Sequence, residues 1–287
     1  RQGASQSSDG MISSLMRWQE LTRVWIGHWL SRPFHHLFNV MPGVEIGLSA
    51  PAITRLSLIH APLAGRRAVH LSDLHLDRYR PRHRALVRTV ADLRPDWIFI
   101  TGDLLNVRDG LPHVLRFLTE LRRLAPVFVT LGNHDHYSGI RVDEFTEQFD
   151  RRKVTLLLNQ VTFLPMDTGE LAIVGLDDPS LHRADLRCIP SPRAGRFTLV
   201  LAHAPNILDQ LAPEHHVDLT LCGHSHAGQW RIPSIPTFWL PPGCHGRTNG
   251  MYTKGTHRLY VNRGIGWSVI PMRLNCPPEI VLLEWAA

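Results

Sequence analysis

The chain has little of what would place it in several broad classes. It holds four cysteines, Cys188, Cys222, Cys244 and Cys276, with no Cys-x-x-Cys pair among them. That argues against a disulfide framework or a zinc knuckle, and reduced thiols on the cytoplasmic side of a membrane are expected. No apolar run reaches the roughly 18 residues needed to cross a bilayer, so a spanning anchor is not expected. There are no internal repeats. The basic residues form no long runs and show no stacking platform of interleaved aromatics, so nucleic acid is not the favoured partner. No segment points to a protein partner.

What is present suits a soluble enzyme. Hydrophobic residues make up 44% and charged residues 20% of 287 positions, enough for a substantial core in one large or two small domains. The net charge of +6 favours anionic partners: phosphorylated substrates, nucleic acid or an acidic membrane surface. The sequence opens on Arg1, and the polar residues 1–10 read as a disordered or added tail ahead of Met11. Over residues 11–44 the pattern is that of an amphipathic helical segment. Leu15, Trp18, Leu21, Trp25, Ile26, Trp29 and Leu30 form one stripe, opposite Arg17, Glu20, Arg23 and His28. Packing on the domain's own core and lying in a membrane interface fit that stripe equally.

From residue 52 strands and helices alternate. Strands are expected at Ile53–Ile59, Arg67–Leu71, Trp97–Ile100, Val127–Leu131, Leu171–Val174, Phe197–Leu201, Leu219–Cys222, Leu259–Val261 and Ile280–Leu283. Helices are expected from Pro81 to about Leu93 and over Leu111–Leu124. This is an α/β layered fold, with several antiparallel strands towards the C-terminus. The Pro-rich stretch Ile232–Gly243 reads as a long loop.

Five strands run into polar clusters: Ser72-Asp73-Leu74-His75, Gly102-Asp103, Gly132-Asn133-His134-Asp135, His203, and Gly223-His224-Ser225-His226. Ligand crevices of open α/β sheets lie beyond the carboxyl ends of strands, so the five clusters can converge. Two carboxylates, an amide oxygen and four imidazoles exceed what one ion needs and suffice for two if Asp103 bridges. Mixed oxygen and nitrogen donors suit Mn²⁺ first, with Fe or Zn²⁺ as alternatives, over Mg²⁺ or Ca²⁺. Two ions about 3.5–4 Å apart can stabilise both oxygens of an in-line displacement at phosphorus. Each motif alone is a common accident; the five in order are not.

With those motifs the sequence resembles the calcineurin-like metallophosphoesterase superfamily over roughly residues 50–285. Gly223-His224-Ser225-His226-Ala227-Gly228-Gln229, the Pro-rich insertion, Asn262-Arg263-Gly264-Ile265-Gly266 and Pro271-Met272-Arg273 are similar to the bacterial membrane-associated branch, itself similar to UDP-2,3-diacylglucosamine pyrophosphatases. The resemblance implies a two-sheet β-sandwich flanked by helices over residues 45–287. It assigns Asp73, His75 and His226 to a first metal ion, Asn133, His203 and His224 to a second, and Asp103 to both. It makes His134 a catalytic group beside the metals, its ring oriented and made more basic by Asp135.

Arg78, Tyr79 and Arg80, with Arg82 beyond, are candidates for binding a second phosphate or stacking on a base; His182 and Arg183 are candidates for a lid. The aromatic segments near 15–30 and 230–240 favour a peripheral enzyme at the cytoplasmic face of a bacterial membrane. Its expected reaction is hydrolysis of a lipid-linked nucleotide diphosphate such as UDP-2,3-diacylglucosamine. A broad phosphodiesterase, a nuclease or cyclic-nucleotide phosphodiesterase, and a non-catalytic scaffold are the alternatives.

Overall fold

The structure is a computed structural model that describes residues 44–46, 50–231, 234, 237, 239–268 and 272–287. The tail 1–10 and the amphipathic helix expected within 11–44 therefore lie outside the described residues.

In chain order the elements are β1 (Val44–Ile46), β2 (Ala52–Ile59), β3 (Arg67–Leu71), α1 (Pro81–Asp92), β4 (Trp97–Thr101), α2 (Leu111–Arg122) and β5 (Val127–Thr130). Then come α3 (Asn133–Tyr137), α4 (Val142–Asp150), β6 (Thr155–Leu156), β7 (Gln160–Met166), β8 (Gly169–Gly175), β9 (Arg196–Leu201) and α5 (Ile207–Gln210). The chain closes with β10 (Leu219–Cys222), β11 (Gly250–Lys254), β12 (His257–Val261), β13 (Met272–Leu274) and β14 (Glu279–Ala286). Helix α1 begins at Pro81, whose missing N–H would have no partner in a first turn.

Two six-stranded sheets result, ordered β2-β14-β3-β4-β5-β6 and β11-β12-β10-β9-β8-β7. Within them β3-β4-β5-β6 and β8-β9-β10-β12 are parallel. Side chains alternate between layers with the period of two that strand geometry imposes. Val69, Ile98, Ile100, Val127 and Val129 face α1, α2 and α4, and pack with Leu86, Phe117, Phe145 and Phe149. Ala68, Phe99, Phe128, Val281 and Trp285 turn the other way, against Leu171, Phe197, Leu199 and Leu221 of the second sheet. The result is the expected mixed α/β sandwich of two sheets flanked by helices.

One pairing departs from chain order. The strands at 52–59 and 67–71 are neighbours in sequence, yet β14 lies between them, parallel to β2 and antiparallel to β3. No local pattern encodes that long-range insertion. Helix α4 and strands β6, β7, β11 and β13 are further elements beyond those read from hydrophobic periodicity.

Candidate metal centre

The parallel strands β3, β4 and β5 of one sheet and β9 and β10 of the other end together, and each delivers its polar cluster there. Asp73, His75, Asp103 and His226 form one group with donor atoms within 4.8 Å of one another; Asp103, His203 and His224 form a second. Asp103 belongs to both. Its Oδ2 lies 3.6 Å from His75 Nε2 and 3.3 Å from His203 Nε2.

Close approach requires glycine at particular positions. A Cβ on Gly223 would stand 1.9 Å from Ser72 Oγ and 2.2 Å from Asp73 Oδ2. One on Gly132 would stand 2.3 Å from Asp103 Oδ1. The backbone is also unusual at the site: Asp73, His75, Asp103, His224 and His226 all have positive φ, between 43° and 70°. Left-handed backbone at a non-glycine residue costs on the order of 1–3 kcal/mol and persists where the surroundings over-determine it.

The donor chemistry fits two cations. His75 Nε2 and His226 Nε2 are 3.1 Å apart, and His224 Nδ1 and His203 Nε2 are 3.0 Å apart. Imidazole lone pairs repel at that distance unless a proton or a cation lies between them. Burial pushes His75 down to about 3 and His224 to about 4, and holds His226 well below its ordinary value, so these rings are neutral donors. Asn133 Oδ1 is buried and has no hydrogen-bond partner, as an oxygen reserved for a metal would be. The far ring nitrogens are engaged: His75 Nδ1 donates to Asn106 Oδ1 (2.7 Å), His203 Nδ1 to the Thr101 carbonyl (2.8 Å) and His224 Nε2 to the Pro242 carbonyl (2.7 Å). Each leaves the inward nitrogen free to ligate.

Carboxylate electrostatics differ across the site. Burial raises Asp73 to about 6. Burial also opposes ionisation of Asp103, but His203, His134 and His75 around it hold it well below the usual carboxylate range. His203 is pulled down by burial and more strongly up by Asp103, and ends well above an ordinary histidine. Without metal the two form a buried ion pair.

His134 is buried, its ring edge-on to His75 with centroids 4.9 Å apart, and its backbone N–H donates to Asp103 Oδ1 (2.9 Å). Its expected pairing with Asp135 is not present. The Asp135 carboxylate instead accepts from the backbone of Leu104 (2.9 Å), Leu105 (3.4 Å) and Gly132 (2.9 Å), tying the second loop to the third. The residue follows the turn of α3, which aims it at backbone rather than at the neighbouring ring.

Tyr79 is likewise not a base-stacking platform. Arg116 lies 4.1 Å above its ring, and its hydroxyl donates to Glu120. Arg78 and Arg80 are exposed. His182 follows the short helical turn Pro179–Leu181 with φ of 56°, and Arg183 stands 3.9 Å from Asp177. Asp177 also accepts from His136 Nε2 (2.6 Å), so this segment is fastened to α3.

Sequence reasoning missed a supporting shell. Asn106 holds the His75 ring and is itself fixed by Asp77, which accepts from its amide (2.8 Å) and its backbone N–H (2.8 Å). Arg273 is fully buried and donates to the carbonyls of Arg263, Gly264 and Gly266, with its Nη2 3.4 Å from His226 Nδ1. The loop it gathers packs on Asp73: Gly266 N–H donates to the Asp73 carbonyl (2.7 Å). The Asn262–Gly266 and Pro271–Arg273 motifs were the visible signal, without a role.

Buried oxygen and nitrogen donors converging at the strand ends of a two-sheet sandwich define a metal-dependent hydrolase. A family model, calcineurin-like phosphoesterase, matches residues 66–228. The chain belongs to that family and is a metal-dependent phosphoester hydrolase. It is 31% identical over 233 residues to the uncharacterized metallophosphoesterase YkuE of Bacillus subtilis (strain 168), covering 79% of this chain and 81% of that one. It is 31% identical over 237 residues to the phosphodiesterase YaeI of Escherichia coli (strain K12), covering 80% and 86%. Among solved structures, Haemophilus influenzae NAD nucleotidase superposes with a TM-score of 0.50 at 13% identity, over 71% of this chain and 45% of that chain, a likeness of fold.

Proposed function

We propose that the protein is a two-metal phosphodiesterase or pyrophosphatase working at a bacterial membrane surface, with a lipid-linked nucleotide diphosphate such as UDP-2,3-diacylglucosamine as its substrate. The observation carrying the two-metal reading is the position of Asp103 Oδ2, within 3.6 Å of a histidine from each ligand group. Asp73, His75 and His226 would hold one ion, Asn133, His203 and His224 the other, and Asp103 both. Mn²⁺ is the first choice and Fe or Zn²⁺ the alternatives. When bound, such ions supply Lewis acidity towards phosphoryl oxygens and a water of lowered pKa.

The chain's own groups do the rest. The neutral, buried rings of His75, His224 and His226 keep their lone pairs directed inward. Asn106, Thr101 and Pro242 hold three of the rings in the ligating tautomer. The His134 ring makes no hydrogen bond to another side chain among the described residues, which leaves its N–H for a leaving oxygen of the substrate.

The phosphodiesterase reading is supported by the likeness to the E. coli relative, whose name carries that activity. The lipid-linked substrate is supported by the basic net charge and by the aromatic segments of the sequence. Purified protein with Mn²⁺ is expected to hydrolyse bis-p-nitrophenyl phosphate and to release UMP from UDP-2,3-diacylglucosamine. Turnover of the diester without UMP release would overturn the lipid-linked substrate and leave a broad phosphodiesterase.

A further inference from the structure

Arginines on this surface are partnered unevenly. Over much of it they meet carboxylates: Arg55 with Glu284, Arg108 with Glu144, Arg187 with Asp185, Arg247 with Asp209. Between residues 78 and 94 that pattern stops. Arg78, Arg80, Arg84, Arg88 and Arg94 are all exposed, and none is in ion-pair contact with a carboxylate among the described residues.

The arrangement follows from α1. The helix buries His83, Leu86 and Val90 on the core, which turns Arg84 and Arg88, one turn apart, to solvent, with Arg80 one turn ahead of them. Nearby acids are committed elsewhere. Asp77 accepts from Asn106 and Val107, and Glu120 on the adjacent α2 is taken by Tyr79 and Arg116. Within α1 itself the one acidic residue is Asp92, at its last position. Like charges one turn apart destabilise a helix, so a bare stripe has no benefit within the fold.

The stripe starts beside the metal centre. Arg82 turns inward and places its guanidinium 4.7 Å over the Trp267 ring. The neighbouring Gly266 is bonded to Asp73. A half-buried Trp capped by an arginine suits the interfacial zone of a bilayer. A nucleic acid would lack its stacking platform, since Tyr79 is covered.

We propose that the exposed face of α1, with Arg80, Arg84 and Arg88, docks the enzyme on an anionic phospholipid surface. This rests on the membrane-surface reading above and adds the face and the lipid charge. Each arginine near such a surface contributes about a fivefold gain in affinity.

The test is co-sedimentation of the full chain with vesicles of phosphatidylcholine alone or mixed with phosphatidylglycerol, at low and high salt. Wild type should bind the mixed vesicles only, and lose them at high salt. The R84Q/R88Q variant should bind about 30-fold more weakly, with unchanged hydrolysis of bis-p-nitrophenyl phosphate, whereas R187Q should bind as wild type. Equal binding by R84Q/R88Q, or equal binding to neutral vesicles, would overturn the proposal. So would a variant that loses affinity for duplex DNA while keeping the vesicles, which would make this a nucleic-acid face. UMP release is a separate readout: its failure beside intact vesicle binding removes the substrate and not the surface.

Discussion

The two sheets contribute different chemistry to one centre. The sheet of β3, β4 and β5 supplies every oxygen donor, Asp73, Asp103 and Asn133, together with His75. The sheet of β9 and β10 supplies only imidazoles, His203, His224 and His226. Neither sheet alone completes a ligand set, because each group combines a carboxylate from the first with a ring from the second. Their contacts are reciprocal. Gly223 of the second sheet makes room for Asp73 of the first, and Gly102 of the first makes room for His203 of the second, where a Cβ would meet Nδ1 at 2.7 Å. The centre is therefore a joint between sheets, and closing the sandwich is what assembles it.

The largest effect should come from breaking the joint at its shared residue. Asp103→Ala removes the carboxylate that faces both sheets and leaves the His203 ring without its buried counter-charge. We expect loss of both ions by elemental analysis and no detectable hydrolysis. Retention of one ion would mean that the remaining ligands of one group hold a cation without the shared carboxylate.

His134 tests the division from the other side, since it comes from the oxygen-rich sheet yet lies outside both ligand groups. His134→Ala should leave metal content near wild type while lowering kcat by about 10²–10⁴-fold. An emptied site would place His134 among the ligands. Asp135→Asn addresses the corrected role of its neighbour. Its bonds to the backbone of Leu104 and Gly132 make it a fastener between loops, so the variant should lose stability. A loss of rate as large as that of His134→Ala is not expected.

These roles show what the sequence could and could not disclose. The six residues that gather into the two ligand groups were legible, because each follows an apolar strand and several are preceded by glycine, a local pattern. The strands carrying them were legible for the same reason, Leu219–Cys222 and Arg67–Leu71 to the residue. What failed was direction. Nothing in Asn133-His134-Asp135 says that the carboxylate turns to backbone, and nothing in Arg78-Tyr79-Arg80 says that Arg116, on another helix, covers the ring. Asn106, Pro242 and Arg273 act through neighbours distant in sequence, as β14 does in separating β2 from β3. Such contacts exist only once the layers have stacked.

Reciprocity between the sheets can be probed by filling the space one reserves for the other. Gly223→Ala sets a methyl group 1.9 Å from Ser72 Oγ and 2.2 Å from Asp73 Oδ2, so the strand ends must separate. Overpacking of this kind costs about 1–3 kcal/mol. We expect that loss in urea denaturation, with metal affinity weakened at the Asp73 group more than at the Asn133 group. Equal weakening of both would show that the sheets move as one body.

The smallest effect concerns the layer beneath the centre, where the first sheet buries a histidine that ligates nothing. His70 sits between the sheets, its Nε2 2.8 Å from Thr101 Oγ1 and its Nδ1 without a partner, and burial pushes it down to about 3. The folded ring stays neutral while an unfolded chain protonates it near 6.5. The unfolded state thus binds more protons between about pH 6.5 and 3, and stability must fall as pH falls through that window, by at most about 1.4 kcal/mol per pH unit. His70→Gln keeps a donor for Thr101 and removes the titration. Metal-free wild type and variant, unfolded in urea at pH 7 and pH 5, should differ in slope, with wild type losing more at the lower pH. Equal slopes would mean that the ligand histidines at the joint, rather than the layer under it, set the acid sensitivity of the fold.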